Sequence, residues 1–342
     1  MNTTDVRAVV TGIGSCLPPD VVTNDDLSRV LDTTHDWIFS RTGIAERRAV
    51  RPGTSTGDLG TAAGAAALES AGRRDCDLVL LATTTPDQRC PATAPQIAAR
   101  LGLAGVPAFD LSAVCSGFVY GLSVAGAMIG AGSYESVLLI GAETYSTIVD
   151  PADRGTAVLF GDGAAAVVLE RGLPGTPGEL LHVELGSDGA GADLIAIPGG
   201  GSRAPHLAAD SAARYFRMDG REVYAQAVAA MTRSARSVAE AVGWRTEQID
   251  AFVGHQANAR ILRAVGRRLG LAEERVVCRL AEVGNTAGAS IPLALAQAAA
   301  DDRLSKGDRV LMTAFGGGLT WGSAAMVWSG VQPVQADGPC PV

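Results

Sequence analysis

An α/β protein built from two similar halves is what this sequence predicts, and three observations carry that reading. Short apolar runs of strand length alternate with helical runs along the whole chain. The glycine turn Phe160-Gly161-Asp162-Gly163, leading into AAAVVLE, returns as Phe315-Gly316-Gly317-Gly318 leading into LTWGSAAMVW. Upstream of each, a tight turn opens a small-residue helix, in AVCSGFVYGLSVA and in VGNTAGASIPLALA. Self-similarity at a spacing of about 160 to 170 residues indicates an internal duplication.

The elements follow in order. RAVVTGIG, DLVLLAT, VPAFDL and SVLLIGAE read as strands. Between them TSTGDLGTAAGAAALESAG has a Ser/Thr cap and a closing Gly, and PATAPQIAARLG has early prolines with Gly102 as a stop. From Leu111 to Tyr134 there is no charge, a length that could cross a bilayer. Its repeated glycines and serines read better as a helix buried on all sides by protein. GLPGTPGE is a Gly/Pro connector, which divides the chain into halves at 1–173 and 174–342. IPGGGSRAPHLAAD reads as an exposed loop of the kind that shapes binding sites.

The chain has 342 residues, of which 47% are apolar and 19% charged, so disorder and polar repeats are excluded and a soluble protein with a substantial core is expected. The net charge of −8 argues against a duplex nucleic-acid binder. Lys306 is the sole lysine among 28 basic residues, a bias that points to a G+C-rich genome rather than to a function. Cys16, Cys76, Cys90, Cys115, Cys278 and Cys340 contain no C-x-x-C and have no histidine at ligand spacing, so neither a metal site nor a disulfide framework is expected. The first residues, MNTTDVRAVV, carry no export pattern, and a cytoplasmic location is the expectation. Gly12-Ile-Gly14 lacks a third glycine, and Gly161-Asp162-Gly163 runs into a strand, so neither is a nucleotide site.

Cys115 follows a strand and opens a helix, where free backbone N–H groups favour a thiolate and receive an oxyanion. His255, in VGHQANAR, caps the end of the strand IDAFVG, whereas His35, His182 and His206 lie in a polar helix, a strand-like run and a loop. Cys115 and His255 thus form a candidate nucleophile–base pair on different strand–helix turns. Asn285, in VGNTAGASIP, can hydrogen-bond a carbonyl but cannot take up a proton, and completes a candidate set of three. In the two-half reading Cys115 and Asn285 occupy equivalent places, with both helix N-termini pointing into one cleft.

DLSAVCSGF, VGHQANARI, VGNTAGASIP and FGGGLTWGSA, in this order, resemble the 3-oxoacyl-acyl-carrier-protein synthase III family of thiolase-fold enzymes. HDWIFSRTGIAERR and FGDGAAAVVLE also look like that family, and the resemblance runs from about residue 6 to 330. It implies a duplicated, five-layered αβαβα thiolase fold with two pseudo-symmetric halves. It also implies a decarboxylative condensation that starts a fatty-acid or polyketide chain. Cys115 would take the acyl group of an acyl-CoA, with the N–H groups of Cys115 and Gly317 as the oxyanion hole. His255 and Asn285 would bind a malonyl thioester, and Phe315 would shield the nucleophile. Trp37, Arg41 and Arg154 match the coenzyme A site, and Asn258 the pantetheine contact. No permanently bound cofactor is implied; acyl-CoA is a substrate.

On the helix after His255, Arg260, Arg263, Arg267 and Arg268 form a basic face, read as the docking surface for an acidic acyl carrier protein. The family is homodimeric, and the loop TTTPDQRCPATAP would close the neighbour's acyl pocket. Cys90 in that loop stands where the family usually carries a bulkier apolar residue, which implies a wider pocket. Tyr145 at another pocket position acts the other way, so the resemblance leaves the net pocket size open. The rival reading is a same-fold acyltransferase with an oxygen or nitrogen acceptor, which would have no use for Asn285. A hydrolytic thioesterase is a third possibility, while an inactive partner subunit, which needs no nucleophile, and a cysteine protease, which needs no coenzyme A motif, stand further off.

Overall fold

The computed structural model describes residues 6–208 and 210–338. The first half runs β1 (Arg7–Cys16), β2 (Asp20–Thr23), α1 (Asn24–Ser28), α2 (His35–Thr42), β3 (Glu46–Ala49), α3 (Thr56–Ser70), β4 (Leu78–Ala82), α4 (Ala94–Arg100), β5 (Ala108–Leu111), α5 (Gly117–Gly130), β6 (Ser136–Glu143), α6 (Arg154–Ala157) and β7 (Gly163–Gly172). The second runs β8 (Leu180–Ser187), β9 (Ile195–Ala196), β10 (Arg217–Met218), α7 (Gly220–Ala241), β11 (Ala251–Gly254), α8 (Ala259–Leu269), α9 (Ser290–Ala300), β12 (Arg309–Gly316), β13 (Thr320–Val327) and β14 (Val334–Ala336).

The first sheet has the order β14-β1-β7-β6-β4-β5 and the second β11-β12-β13-β8. In both, two parallel strands (β4 and β6; β11 and β12) are followed by an antiparallel strand that closes a hairpin (β7; β13), and that strand pairs antiparallel with the strand opening the half (β1; β8). The link between β7 and β8 is the Gly/Pro connector. β14 returns to lie parallel to β1, so the last strand of the chain belongs to the first sheet.

Three apolar clusters stack the layers. α3 and α4 cover the outer face of the first sheet. α5 and α9 lie between the two sheets, and α7 and α8 cover the outer face of the second. The result is the five-layered αβαβα arrangement of the thiolase fold.

The uncharged stretch becomes α5, only 14 residues long and packed between layers. Among the described residues no helix is long and apolar enough to cross a membrane. A Cβ at Gly121 would sit 2.4 Å from the Leu139 side chain, so small residues let α5 lie flat on the first sheet.

Gly12 and Gly14 serve packing of the same kind. A Cβ at Gly14 would meet the Ala67 backbone nitrogen at 2.2 Å, and one at Gly12 the Ala67 carbonyl oxygen at 2.4 Å. These two glycines seat α3 on β1, and backbone cannot yield as a side-chain tip can. Gly14→Ala should therefore cost about 3 kcal/mol in denaturant unfolding, the upper end of ordinary overpacking. Gly201→Ala, with open space around it, should stay within about 0.5 kcal/mol.

Candidate active site

Both central helices are entered through the same local structure. A single 3-10 turn, Val114–Ser116, precedes α5, and another, Ala287–Ala289, precedes α9. Each opens on a non-glycine residue in the left-handed region, Val114 at φ 48° and Ala287 at φ 43°. The N–H of Ser116 donates to the Ala113 carbonyl and that of Ala289 to the Thr286 carbonyl, so the turns superimpose residue for residue. The counterpart of Cys115 is therefore Gly288. This corrects the expected equivalence of Cys115 and Asn285: Asn285 lies two residues before its turn, where the first half has Ser112.

The three candidate residues nonetheless converge. The backbone at Gly316, which ends β12, passes so near the Cys115 turn that a Cβ there would lie 2.7 Å from the Cys115 nitrogen. β11, parallel to β12, delivers His255 one residue past its end, and the His255 N–H donates to the Thr313 carbonyl of β12. His255 Nδ1 lies 2.6 Å from the Ser290 hydroxyl at the start of α9, the helix that Asn285 introduces. Asn285 is also bridged through its backbone to Phe160, whose ring stacks on Tyr145 in the apolar cluster that holds Cys115 and Phe315.

Asn285 Oδ1 accepts the N–H of Ala287 at 2.9 Å, which fixes the amide with its oxygen turned inward. The candidates Cys115, His255 and Asn285 are all buried. Burial and the neighbouring Glu143 carboxylate push the Cys115 thiol well up. Burial likewise pulls the His255 imidazole down to about 3. At neutral pH the pair rests as thiol and neutral imidazole, not as the thiolate that the turn's N–H groups alone favour.

Of the other expected residues, Trp37 is half-buried on α2 while its neighbour Ile38 supplies the core. The guanidinium groups of Arg41 and Arg154 lie 4.6 and 4.8 Å from its ring centroid. Asn258 caps α8 through the Arg260 N–H and donates to the Arg41 carbonyl. Gly317 follows Gly316 against Ile195. Arg260, Arg263, Arg267 and Arg268 are all exposed on α8, opposite the buried Ile261, Leu262 and Val265, with Arg263 paired to Glu273.

Tyr145 is fully buried against Phe160 and Phe216. Cys90 stands apart from this cluster within the chain, exposed on the loop after β4. Pro86 to Arg89 of that loop, with Gly199, Gly200 and Leu207, line a cavity of about 810 Å³. Among the described residues no group of three or more His, Cys, Asp or Glu is placed to hold a metal.

Three partners escaped the sequence reading. Ser290 sits inside a motif already singled out, and its Nδ1 contact orients His255. Gly316 is needed for close approach to Cys115. Glu143 ends a strand whose eight residues are all buried, and a charged residue closing such a run was the available signal.

Two family models match, 3-oxoacyl-[acyl-carrier-protein (ACP)] synthase III over residues 109–189 and its C-terminal counterpart over residues 239–328. Beta-ketoacyl-[acyl-carrier-protein] synthase III 2 of Streptomyces coelicolor is 65% identical over 328 residues, covering 96% of each chain. The chain belongs to the 3-oxoacyl-acyl-carrier-protein synthase III family. The solved synthase III from Pseudomonas aeruginosa PAO1 is 50% identical, with a TM-score of 0.89, over 96% of this chain and 100% of that one. The priming beta-ketosynthase of the R1128 polyketide pathway is 34% identical, with a TM-score of 0.87, over 95% and 97%. This synthase is accordingly an enzyme of the condensing type that initiates fatty-acid or polyketide synthesis, and the simple acyltransferase reading is set aside.

Two outcomes follow from the resting protonation states. Alkylation of Cys115 by iodoacetamide, followed by peptide mass, should keep accelerating up to pH 9; a plateau near pH 6 would reveal a thiolate–imidazolium pair instead. Unfolded His255 takes up a proton near pH 6.5, whereas in the fold it does so only near 3. This group's contribution is therefore full above pH 6.5 and is lost as pH falls towards 3. Relative to His255→Gln, the synthase should lose about 2 kcal/mol of unfolding free energy between pH 8 and pH 5.

Proposed function

We propose that Cys115 is the nucleophile of this condensation, with an acyl-CoA as starter donor and a malonyl-acyl-carrier-protein as extender. The convergence of Cys115, His255 and Asn285 on the two helix-opening turns carries this reading. The Cys115 sulfur attacks the thioester carbonyl, the bond to the coenzyme A sulfur breaks, and coenzyme A leaves as the thiol with the cysteine's proton. The N–H groups of Cys115 and Gly317 receive the developing oxyanion.

The malonyl thioester then binds with its carbonyl oxygen facing His255 and Asn285. The inward-turned Oδ1 of Asn285 leaves its Nδ2 donors for that oxygen, and neutral His255 offers an Nε2 proton, the tautomer in which Nδ1 accepts from Ser290. Carbon dioxide departs, and the enolate is stabilised by these two donors rather than by a positive charge. Its carbon attacks the acyl-cysteine carbonyl; the C–C bond forms, the C–S bond breaks, and Cys115 leaves as a thiolate that regains a proton from the medium. The chemistry uses the chain's own groups without a resident cofactor.

Around this centre, Trp37 with Arg41 and Arg154 is the proposed seat of the coenzyme A base, and Asn258 a contact for its pantetheine arm. The exposed arginines of α8 are the proposed landing surface for an acidic carrier protein. Phe315 shields the nucleophile. We read the synthase as a homodimer of such two-half chains, each exposed Cys90 loop reaching the partner's acyl pocket, where Tyr145 limits the depth.

Intact-protein mass after incubation with a panel of acyl-CoAs should show one acyl adduct, absent from Cys115→Ala. A malonyl-carrier chase should release it as a 3-oxoacyl-carrier product. Asn285→Ala should still form the adduct but discharge it about 100-fold more slowly, near 2.7 kcal/mol. An adduct that malonyl-carrier cannot discharge in the wild type would overturn the reading.

A further inference from the structure

Glu143 is a fully buried carboxylate that the reaction as written does not use. Its Oε1 accepts the Gly288 N–H at 3.3 Å and the Thr84 hydroxyl at 3.2 Å. Its Oε2 accepts the Thr84 N–H at 3.0 Å, the Thr85 hydroxyl at 3.1 Å and the Thr83 hydroxyl at 3.5 Å. These five donors are all neutral, and they come from two segments: the threonine run after β4 and the turn before α9.

Gly288 is the counterpart of Cys115. Its N–H is therefore the second-half equivalent of the N–H that, in the first half, faces the reacting carbonyl. One turn is open for an anion that exists during the reaction, and the other already holds a carboxyl group supplied by the chain, which burial pushes up to about 7. We propose that Glu143 is a positioning residue whose carboxylate fills this second turn and thereby holds Asn285 in its working orientation.

The path from carboxylate to amide is short. Ala287 is kept at φ 43°, a backbone state that costs a non-glycine residue free energy. Holding the Gly288 N–H pins the residue that follows. While Ala287 stays there, its own N–H points at Asn285 Oδ1. Released, the turn relaxes to an ordinary helical or extended φ, that N–H swings away, and the Asn285 amide is free to rotate. The two turns touch, since a Cβ at Gly288 would lie 3.4 Å from the Val114 oxygen. The Cys115 turn also has clamps of its own, in Gly316 and in the Ser116 hydroxyl, which lies 2.7 Å from Thr320 Oγ1 and donates to the Ala113 carbonyl. Loss of the carboxylate should therefore act on the malonyl half of the cycle and spare acylation.

The inference rests on the assignment of acylation to Cys115 and of the malonyl half to Asn285. The wild type tests that assignment first, by forming and discharging the adduct. Glu143→Gln keeps the shape but sets an NH2 group against donors, so the Gly288 and threonine bonds cannot all be kept. The variant should be acylated by acyl-CoA at least as fast as the wild type, because the carboxylate that pushes the Cys115 thiol up is gone, and discharge to malonyl-carrier tenfold or more slowly.

Equal slowing of both halves together with a lowered Tm would mark Glu143 as general scaffold, and wild-type discharge in Glu143→Gln would remove the role altogether. Should Glu143→Gln fail to fold, Thr84→Val takes its place, removing one donor that holds the carboxylate, with Thr84→Ser restoring it. Threefold or greater slowing of discharge alone, reversed by serine, supports the assignment. Slowing that serine does not reverse, or that extends to acylation, overturns it.

Discussion

A β-branched residue held at φ 48° sits where its Cβ crowds its own carbonyl, at a cost of about 1 to 3 kcal/mol. Val114 bears that strain because its surroundings leave it no alternative. The hairpin of β12 and β13 presses Gly316 against Cys115, and Thr320 donates to the Gly317 carbonyl and reaches the Ala113 carbonyl. All these clamps come from the second half of the chain. Ala287 in the second half is held in turn by groups of the first: Glu143, and a Gly141 where a Cβ would lie 2.8 Å from the Gly288 oxygen. Each half strains the other's turn, so neither turn is expected to form in a half that folds alone.

This reciprocity explains why the site is electrically quiet. At neutral pH burial leaves Cys115 a thiol, His255 a neutral imidazole and Tyr145 a phenol, and the N–H groups of the two turns supply the fixed polarity. Charge is thereby reserved for the reaction: no strong cation stands by the sulfur to hold a thiolate, and burial pushes the Glu143 carboxyl in the second turn up to about 7, so it is only partly charged at neutral pH. Arg47 follows the same rule on the other side of Asn285. Its buried guanidinium donates to Asn24 and to the Val22 and Val158 carbonyls rather than to a carboxylate. Its stem backs Gly161 and Gly284, the neighbours of Asn285 in the chain and across its backbone bridge.

Much of this was written in the sequence. Strand and helix runs, the repeated glycine turns and the small-residue helices gave the two-half α/β architecture, because hydrophobic period and turn chemistry are local properties. Cys115, His255 and Asn285 each have an ordinary packing or capping reading when taken alone; their combination, and the motifs around them that resemble a known family, made them candidates. The alignment of the two halves was not legible. The two turn motifs set Cys115 opposite Asn285, but the backbone matches it to Gly288, a residue with no side chain to read. Glu143 and Gly316 were hidden for a related reason. Their roles depend on contacts between halves, 145 residues apart for Glu143 and Gly288, which no local pattern encodes. Gly12 and Gly14, excluded from a nucleotide motif by the missing third glycine, are the seat of a helix.

The indole of Trp37 is not bare in the free chain. Two guanidinium groups already lie against it, and Arg154 is also tied to the Asp32 carbonyl at 2.7 Å. Any planar base that comes to rest on this ring must compete with a stack that exists before it arrives, so its net gain is a difference between two similar attractions rather than the whole of one. Such a seat grips a ligand loosely and releases it readily. In the proposed coenzyme A seat this competition lowers the net affinity for a group that has to leave after every turnover.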